Sequence, residues 1–328
     1  MKHIGWGFIG CSNVPESETG IPFNDVRGSN VEAVFNDNIK LARTYANTNN
    51  IKKWYTDAQL LVNDKDVNAI YISTPSSSHA TYAIMAMKAG KPCLIDKPLA
   101  NSYDDCIRIN RISEKTNIPC FVAYYRRKLP YFNKVKEIIT TGTIGKILTV
   151  QVRFAVPAHD LTDNDNEHKL WRLQSDIIGG SSFYDLACHQ LDILQNIFGV
   201  IIKAHGYIAN RAGIIHDQPD TVNAVYRFEN GLNGSGAWSF SSDESARTDR
   251  IEIFGTKGRI SFSVYTYEPI CLYTSDGVKK IKVANPKSVQ FPLIKEVIED
   301  LQGFGKCDCT SISGTPTNWV MDRILGKI

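Results

Sequence analysis

A chain of 328 residues with 43% hydrophobic and 22% charged residues has an ordinary globular composition, and its length predicts two domains rather than one core. The net charge of +3 comes from scattered Lys and Arg, which argues against nucleic acid or a membrane surface as partner. No run of about 18 apolar residues suits a bilayer, no signal-peptide pattern opens the chain, and the eight cysteines read as reduced thiols of a cytoplasmic protein.

The first 120 residues alternate short apolar runs with longer helical patterns. Segments 4–9, 31–35, 69–73, 92–95 and 119–122 read as buried strands, and 39–47, 57–61, 80–89 and 103–116 as helices between them. That alternation predicts a doubly wound parallel α/β sheet of the Rossmann type over residues 1–123. Beyond it, a helix over 131–140 ends at Gly142. Longer, partly alternating segments follow at 147–156, 201–210, 221–228, 235–241, 250–254, 259–264 and 270–273. Glu229-Asn230-Gly231 and Thr256-Lys257-Gly258 are hairpin turns. With helices over 183–198, 292–301 and 319–325, residues 124–328 read as an α+β domain on a large, mostly antiparallel open sheet. One face of that sheet is expected to carry homo-oligomer contacts. Cys307 and Cys309 form the one close cysteine pair and lack zinc-type partners, so no metal site is expected.

A literal G-x-G-x-x-G occurs at Gly5, Gly7 and Gly10, in the wrong register, because Gly5 and Gly7 fall inside the first strand. The physically sensible turn is Gly10-Cys11-Ser12-Asn13-Val14-Pro15, which makes Gly10, Ser12, Asn13 and Val14 candidates to cradle a pyrophosphate. The second strand ends at Asn36 and Asp37, where an acidic residue would bind the adenosine ribose. No Arg stands at that tip, which favours NAD. Arg43 could reach across, so NADP remains possible.

Two further segments are Ser73-Thr74-Pro75-Ser76-Ser77-Ser78-His79 and Asp96-Lys97-Pro98, each following a strand. A third is Gly179-Gly180-Ser181-Ser182-Phe183-Tyr184-Asp185-Leu186-Ala187-Cys188-His189-Gln190-Leu191-Asp192. Together they resemble the glucose–fructose oxidoreductase/inositol dehydrogenase (Gfo/Idh/MocA) family, with its T-P-x-x-x-H, E-K-P and G-G-G-x-x-x-D-x-x-x-H-x-x-D motifs, in order along nearly the whole chain. Asp96 stands where Glu is usual, Ser181 where a third Gly is common, and Ser12 replaces a phosphate-loop glycine. The resemblance implies cofactor contacts at Ser73, Thr74, Pro75, Ser76, His79, Asp96 and Lys97, and a catalytic group of Lys97, Asp185 and His189. It also matches Trp171-Arg172 to a family W-R pair near the nicotinamide. The bland alternative for that pair is an aromatic anchor for the loop over 157–175, which is long enough to be a lid.

Oxidising a secondary alcohol requires a hydride acceptor and a base that titrates near working pH. Asp185 and His189 are four apart with helical periodicity and so share a face, as does Asp192. His189 suits the base and Asp185 an orienting or hydroxyl-binding role. Asp192 is either a substrate contact or a support behind His189. Lys97, extended before Pro98, could donate to the reacting oxygen. Arg126 follows the fifth strand and is a substrate candidate, while Arg127 is a candidate ion-pair partner. The function expected is an NAD(P)-dependent dehydrogenase acting on a secondary hydroxyl of a sugar, sugar derivative or cyclitol. The alternatives are a glycosidase using transient oxidation and a non-catalytic dinucleotide sensor on the same fold.

Overall fold

The computed structural model describes residues 2–11, 22–158, 182–213 and 218–328. They form two compact units, Met1–Tyr125 with Pro286–Thr315, and Arg126–Asn285 with Pro316–Ile328.

In the first unit, β1 (Ile4–Ile9), β2 (Ser29–Phe35), β3 (Lys53–Tyr55), β4 (Ala69–Ile72), β5 (Cys93–Ile95) and β6 (Cys120–Val122) pair in the order β3-β2-β1-β4-β5-β6. Every neighbouring pair is parallel. Strand β1 is buried along its whole length, which is why it is written as a continuous apolar run. Helices α1 (Ile39–Thr48), α2 (Ala58–Asn63), α3 (Ser76–Lys88) and α4 (Tyr103–Thr116) connect successive strands. Helix α1 starts at Asn38, whose Oδ1 accepts the N–H of Lys40 at 3.0 Å and of Leu41 at 3.3 Å. The glycines inside β1 serve packing. A Cβ on Gly7 would lie 2.6 Å from the Leu61 side chain, and one on Gly5 only 2.2 Å from the Asp66 carbonyl. Their spacing therefore has a cause unrelated to phosphate.

The chain returns to this unit late. Helix α7 (Phe291–Gln302) puts Leu293, Ile294, Val297 and Ile298 into one buried cluster with Trp6, Phe8 and Phe23. Just after it, Val122 donates its N–H to the Cys309 carbonyl at 2.9 Å, and Phe121 forms an antiparallel bridge with Thr310. A second domain running unbroken over 124–328 therefore needs correction: 286–315 belongs with the Rossmann sheet. Periodicity marks an apolar helix face without naming the surface that covers it.

The second unit holds α5 (Pro130–Thr140), β7 (Ile147–Pro157), α6 (Ser182–Phe198), β8 (Ile201–Ala209), β9 (Thr221–Phe228), β10 (Asn233–Ser242), β11 (Thr248–Gly255), β12 (Gly258–Phe262), β13 (Ile270–Thr274) and β14 (Gly277–Ile281). The sheet order is β14-β13-β12-β11-β7-β10-β9-β8. Every pair is antiparallel except β7–β10. Both predicted turns join hairpins, β9–β10 and β11–β12. Helix α6 packs on one face, with Phe183 meeting the buried Trp238 ring edge-on at 5.1 Å and Phe198 meeting Phe228 at 5.6 Å. The Trp238 indole N–H donates to Gln190 Oε1 at 2.6 Å. The opposite face exposes Tyr207 and Val225. The last helix, α8 (Ser311–Ile324), begins well before the predicted residue 319. Its first half, Ser-Ile-Ser-Gly-Thr-Pro-Thr-Asn, is poor in helix formers, and tertiary packing, with Val320, Met321 and Ile324 buried in the second half, overrides that local preference.

Candidate active site

On the first unit, the candidate residues gather at the carboxyl ends of the parallel strands, the edge where doubly wound sheets bind ligands. Gly10 follows β1 with φ +90°, and a Cβ there would sit 2.9 Å from the Ser73 carbonyl carbon. Its N–H donates to the Phe35 carbonyl at 3.0 Å, and its own carbonyl accepts the Ser73 hydroxyl at 3.0 Å. The ends of β1, β2 and β4 are thus drawn together around a position only glycine can occupy. Asn36 donates from Nδ2 to Cys11 Sγ at 3.3 Å and accepts the Asn38 N–H on Oδ1 at 2.9 Å. Asp37 stays exposed at the tip. Burial pushes the Cys11 thiol up to about 11, so it stays protonated. Ser12, Asn13 and Val14 lie outside the described residues, as do Trp171, Arg172 and the expected lid from residue 159 on.

The next loop carries Ser73, Thr74 and Pro75 into α3. The Ser78 hydroxyl reaches back to Thr74 Oγ1 at 2.7 Å, and Ser76 is buried in the first turn. His79 is buried at 1% exposure, with Nε2 2.8 Å from the Thr74 carbonyl and Nδ1 3.0 Å from the Pro98 carbonyl. Asp96 follows β5. Its N–H completes the ladder to the Ile72 carbonyl at 2.8 Å, and its Oδ1 accepts the Lys97 N–H at 2.9 Å. Lys97 is half-buried and precedes a cis peptide to Pro98.

On the second unit, Asp185 and His189 project from one face of α6, with His189 buried and Asp185 half-buried. Asp192 is engaged by protein: Arg127 grips it through Nε at 2.9 Å and through Nη2, in a pair almost without exposure. Arg126 is buried and donates from Nε to the Val264 carbonyl at 3.1 Å. Its guanidinium lies 4.6 Å from the centroid of the Tyr265 ring.

Sequence reasoning missed Tyr265. Its hydroxyl donates to the Leu186 carbonyl on α6 at 2.5 Å, and its ring meets His189 edge-to-face at 6.0 Å. Burial raises that hydroxyl well above the usual tyrosine range, so it acts as a fixed donor. The Asp249 carboxylate accepts the N–H groups of Val264, Tyr265 and Thr266 at 2.9, 2.6 and 3.1 Å, which sets the turn that carries the ring. No motif announces this turn; only the fold puts residue 265 beside residue 189. Among the described residues no three His, Cys, Asp or Glu side chains gather as metal ligands.

The cradle at Gly10 fits a dinucleotide: a Cβ would fill it, an amide and a carboxylate follow at the neighbouring strand tip, and Lys97 stands two strands away on the same edge. A sheet of this order with that edge, continued by a domain carrying an Asp-x-x-x-His helix, defines a class, the Rossmann-type NAD-binding oxidoreductases. Sequence profiles carry the assignment further. Residues 4–124 match the oxidoreductase family with the NAD-binding Rossmann fold, and residues 132–261 match the GFO/IDH/MocA C-terminal domain. The chain belongs to the GFO/IDH/MocA family.

Oxidoreductase P35 of Formosa agariphila is 30% identical over 99% of both chains. The 1,5-anhydro-D-fructose reductase of Ensifer adhaerens is 25% identical over 94% of this chain and 91% of its own. The structure of a levoglucosan dehydrogenase in complex with NADH and levoglucosan superposes with a TM-score of 0.83 at 21% identity, over 99% of this chain and 97% of that one.

Proposed function

We propose that the protein is an NAD-dependent dehydrogenase that interconverts a secondary hydroxyl and a carbonyl on a sugar, sugar derivative or cyclitol. The observation that carries this reading is His189, four residues after Asp185 on one helix and held in place by Tyr265, in a chain of an NAD-binding oxidoreductase family. The Ensifer relative, matched over nearly its full length, acts on 1,5-anhydro-D-fructose, which supports a sugar-like substrate.

Bound NAD supplies the hydride acceptor or donor. The residues that would hold it are Gly10 and the Ser12, Asn13 and Val14 turn at the pyrophosphate, Asn36 and Asp37 at the ribose, and Ser73, Thr74, Pro75, Ser76, Asp96, Trp171 and Arg172 along the rest. The exposed carboxylate of Asp37 disfavours a 2′-phosphate and so favours NAD over NADP. The chain's own residues manage the proton. The His189 imidazole takes it from the hydroxyl as the carbonyl forms, and the Lys97 ammonium stabilises charge on the reacting oxygen. Asp185 orients the ring or a neighbouring hydroxyl, and Arg126 binds the substrate. The open face around Tyr207 and Val225 is the surface we assign to self-association, in a cytosolic protein.

A panel of sugars and polyols with NAD, followed by absorbance of the reduced nicotinamide, tests the reading. Turnover should fall about 10²–10⁴-fold in His189→Ala and in Lys97→Ala, with NAD affinity held within about tenfold. NAD binding without turnover across the panel would point to a sensor. Glycosidic cleavage without net reduction of NAD would point to transient oxidation.

A further inference from the structure

We propose that His79 is a positioning residue that fastens the loop after β4 to the loop after β5, and thereby sets the place of Lys97. The proposal rests on the reading of Lys97 as part of the catalytic machinery.

Helix α3 starts at Ser76, so His79 sits in its first turn. Side chains of a helix lean toward its N-terminus, which brings this ring back over the Thr74-Pro75 loop that precedes it. The three-residue gap between Pro75 and His79 gives that reach. One ring nitrogen, Nε2, stands 2.8 Å from the Thr74 carbonyl, and the other, Nδ1, stands 3.0 Å from the Pro98 carbonyl. Strands β4 and β5 are neighbours, and their ladder ends where the Asp96 N–H meets the Ile72 carbonyl. Past that bond the two loops part, and the imidazole spans the gap between them. Lys97 is one residue from the carbonyl that Nδ1 engages, so a shift at Pro98 shifts Lys97 with it. At 1% exposure the ring has no water to compete for either contact. Both nitrogens face main-chain oxygens, so the ring serves the loops and leaves the ligands to Thr74 and Lys97. Burial outweighs the two carbonyls and the nearby Asp96 and lowers the pKa of the ring below the usual histidine value. A neutral ring carries one N–H, so its two tautomers share the contacts, one donating to the Thr74 carbonyl and the other to the Pro98 carbonyl, and two amide substitutions separate them. A Gln side chain places its nitrogen near Nε2, and an Asn side chain near Nδ1.

The test compares full-length wild type with His79→Leu, His79→Gln and His79→Asn, by hydrogen–deuterium exchange of the protein alone and by calorimetric titration with NAD. In His79→Leu, segments 73–78 and 96–101 should each exchange about tenfold faster, while the rest of the first unit stays as in wild type. In His79→Gln only 96–101 should loosen. NAD affinity should then hold within about threefold, and kcat should fall on any substrate the sugar panel identifies. In His79→Asn only 73–78 should loosen, with NAD binding weakened by about tenfold. Unchanged exchange of both segments in His79→Leu would overturn the proposal. So would an even rise across the whole unit, or Gln and Asn variants that both behave as Leu does. Exchange and NAD affinity need no substrate, so a panel that finds no turnover leaves this result readable by itself.

Discussion

At Gly10 a single missing carbon decides whether three strand ends can meet. The left-handed φ and the 2.9 Å approach to the Ser73 carbonyl act together, because an added methyl would suffer both the backbone strain and the collision. Gly10→Ala should therefore cost about 1–3 kcal/mol of stability and weaken NAD binding by about tenfold or more, measurable by thermal unfolding and calorimetry. The position of this turn was readable from the chain, since a buried apolar strand followed by Gly can be recognised locally. What Asn36 does there was not. Its amide is engaged by Cys11 and by the Asn38 N–H, contacts that exist only once β1 and β2 lie side by side. Asp37 is the acid at that tip, its Oδ1 accepting the Asn38 N–H at 2.9 Å, although Asn36 is nearer the strand.

Between elements, α6 depends on partners far away in the chain. Asp192 is gripped by Arg127 and also lies 3.5 Å from the Thr317 hydroxyl on α8, while Tyr184 donates to Asp322 of the same helix at 2.7 Å. Removing one partner of a buried pair strands the other charge. Asp192→Ala should therefore destabilise by about 3–5 kcal/mol in urea unfolding, whereas an Arg127→Met, Asp192→Leu double variant should recover most of that loss. A double variant as unstable as the single one would mean the pair is more than an exchangeable contact. The Asp-x-x-x-His spacing of α6 was legible from periodicity, and so were most of the strands. Strands β3 and β14 escaped because they are short edge strands with no buried residue to give a period-2 signal. Tyr265 escaped because its role is set by the turn that Asp249 holds, and no local pattern encodes a neighbour 76 positions away.

For the whole molecule, the feature that periodicity could not assign is the return of 286–315. Helix α7 supplies four apolar side chains to the Trp6–Phe8–Phe23 core, and deleting them would expose that surface on a sheet of short strands. A chain ending at residue 125 should accordingly lack cooperative thermal unfolding and NAD binding. A fragment in which 286–315 is joined to it by a flexible linker should regain both. Cooperative unfolding of 1–125 alone would show the returning segment to be dispensable. The same return protects β6: with Val122 bonded to Cys309 and Phe121 bridged to Thr310, the outer edge of the parallel sheet is closed. During synthesis that cover is made last. The ribosome has completed six parallel strands long before it releases the segment that seals them, so the nascent protein carries an open strand edge and a half-built aromatic core through most of its translation. That interval is when a chaperone has something to bind, and when crowding by sister chains does the most harm.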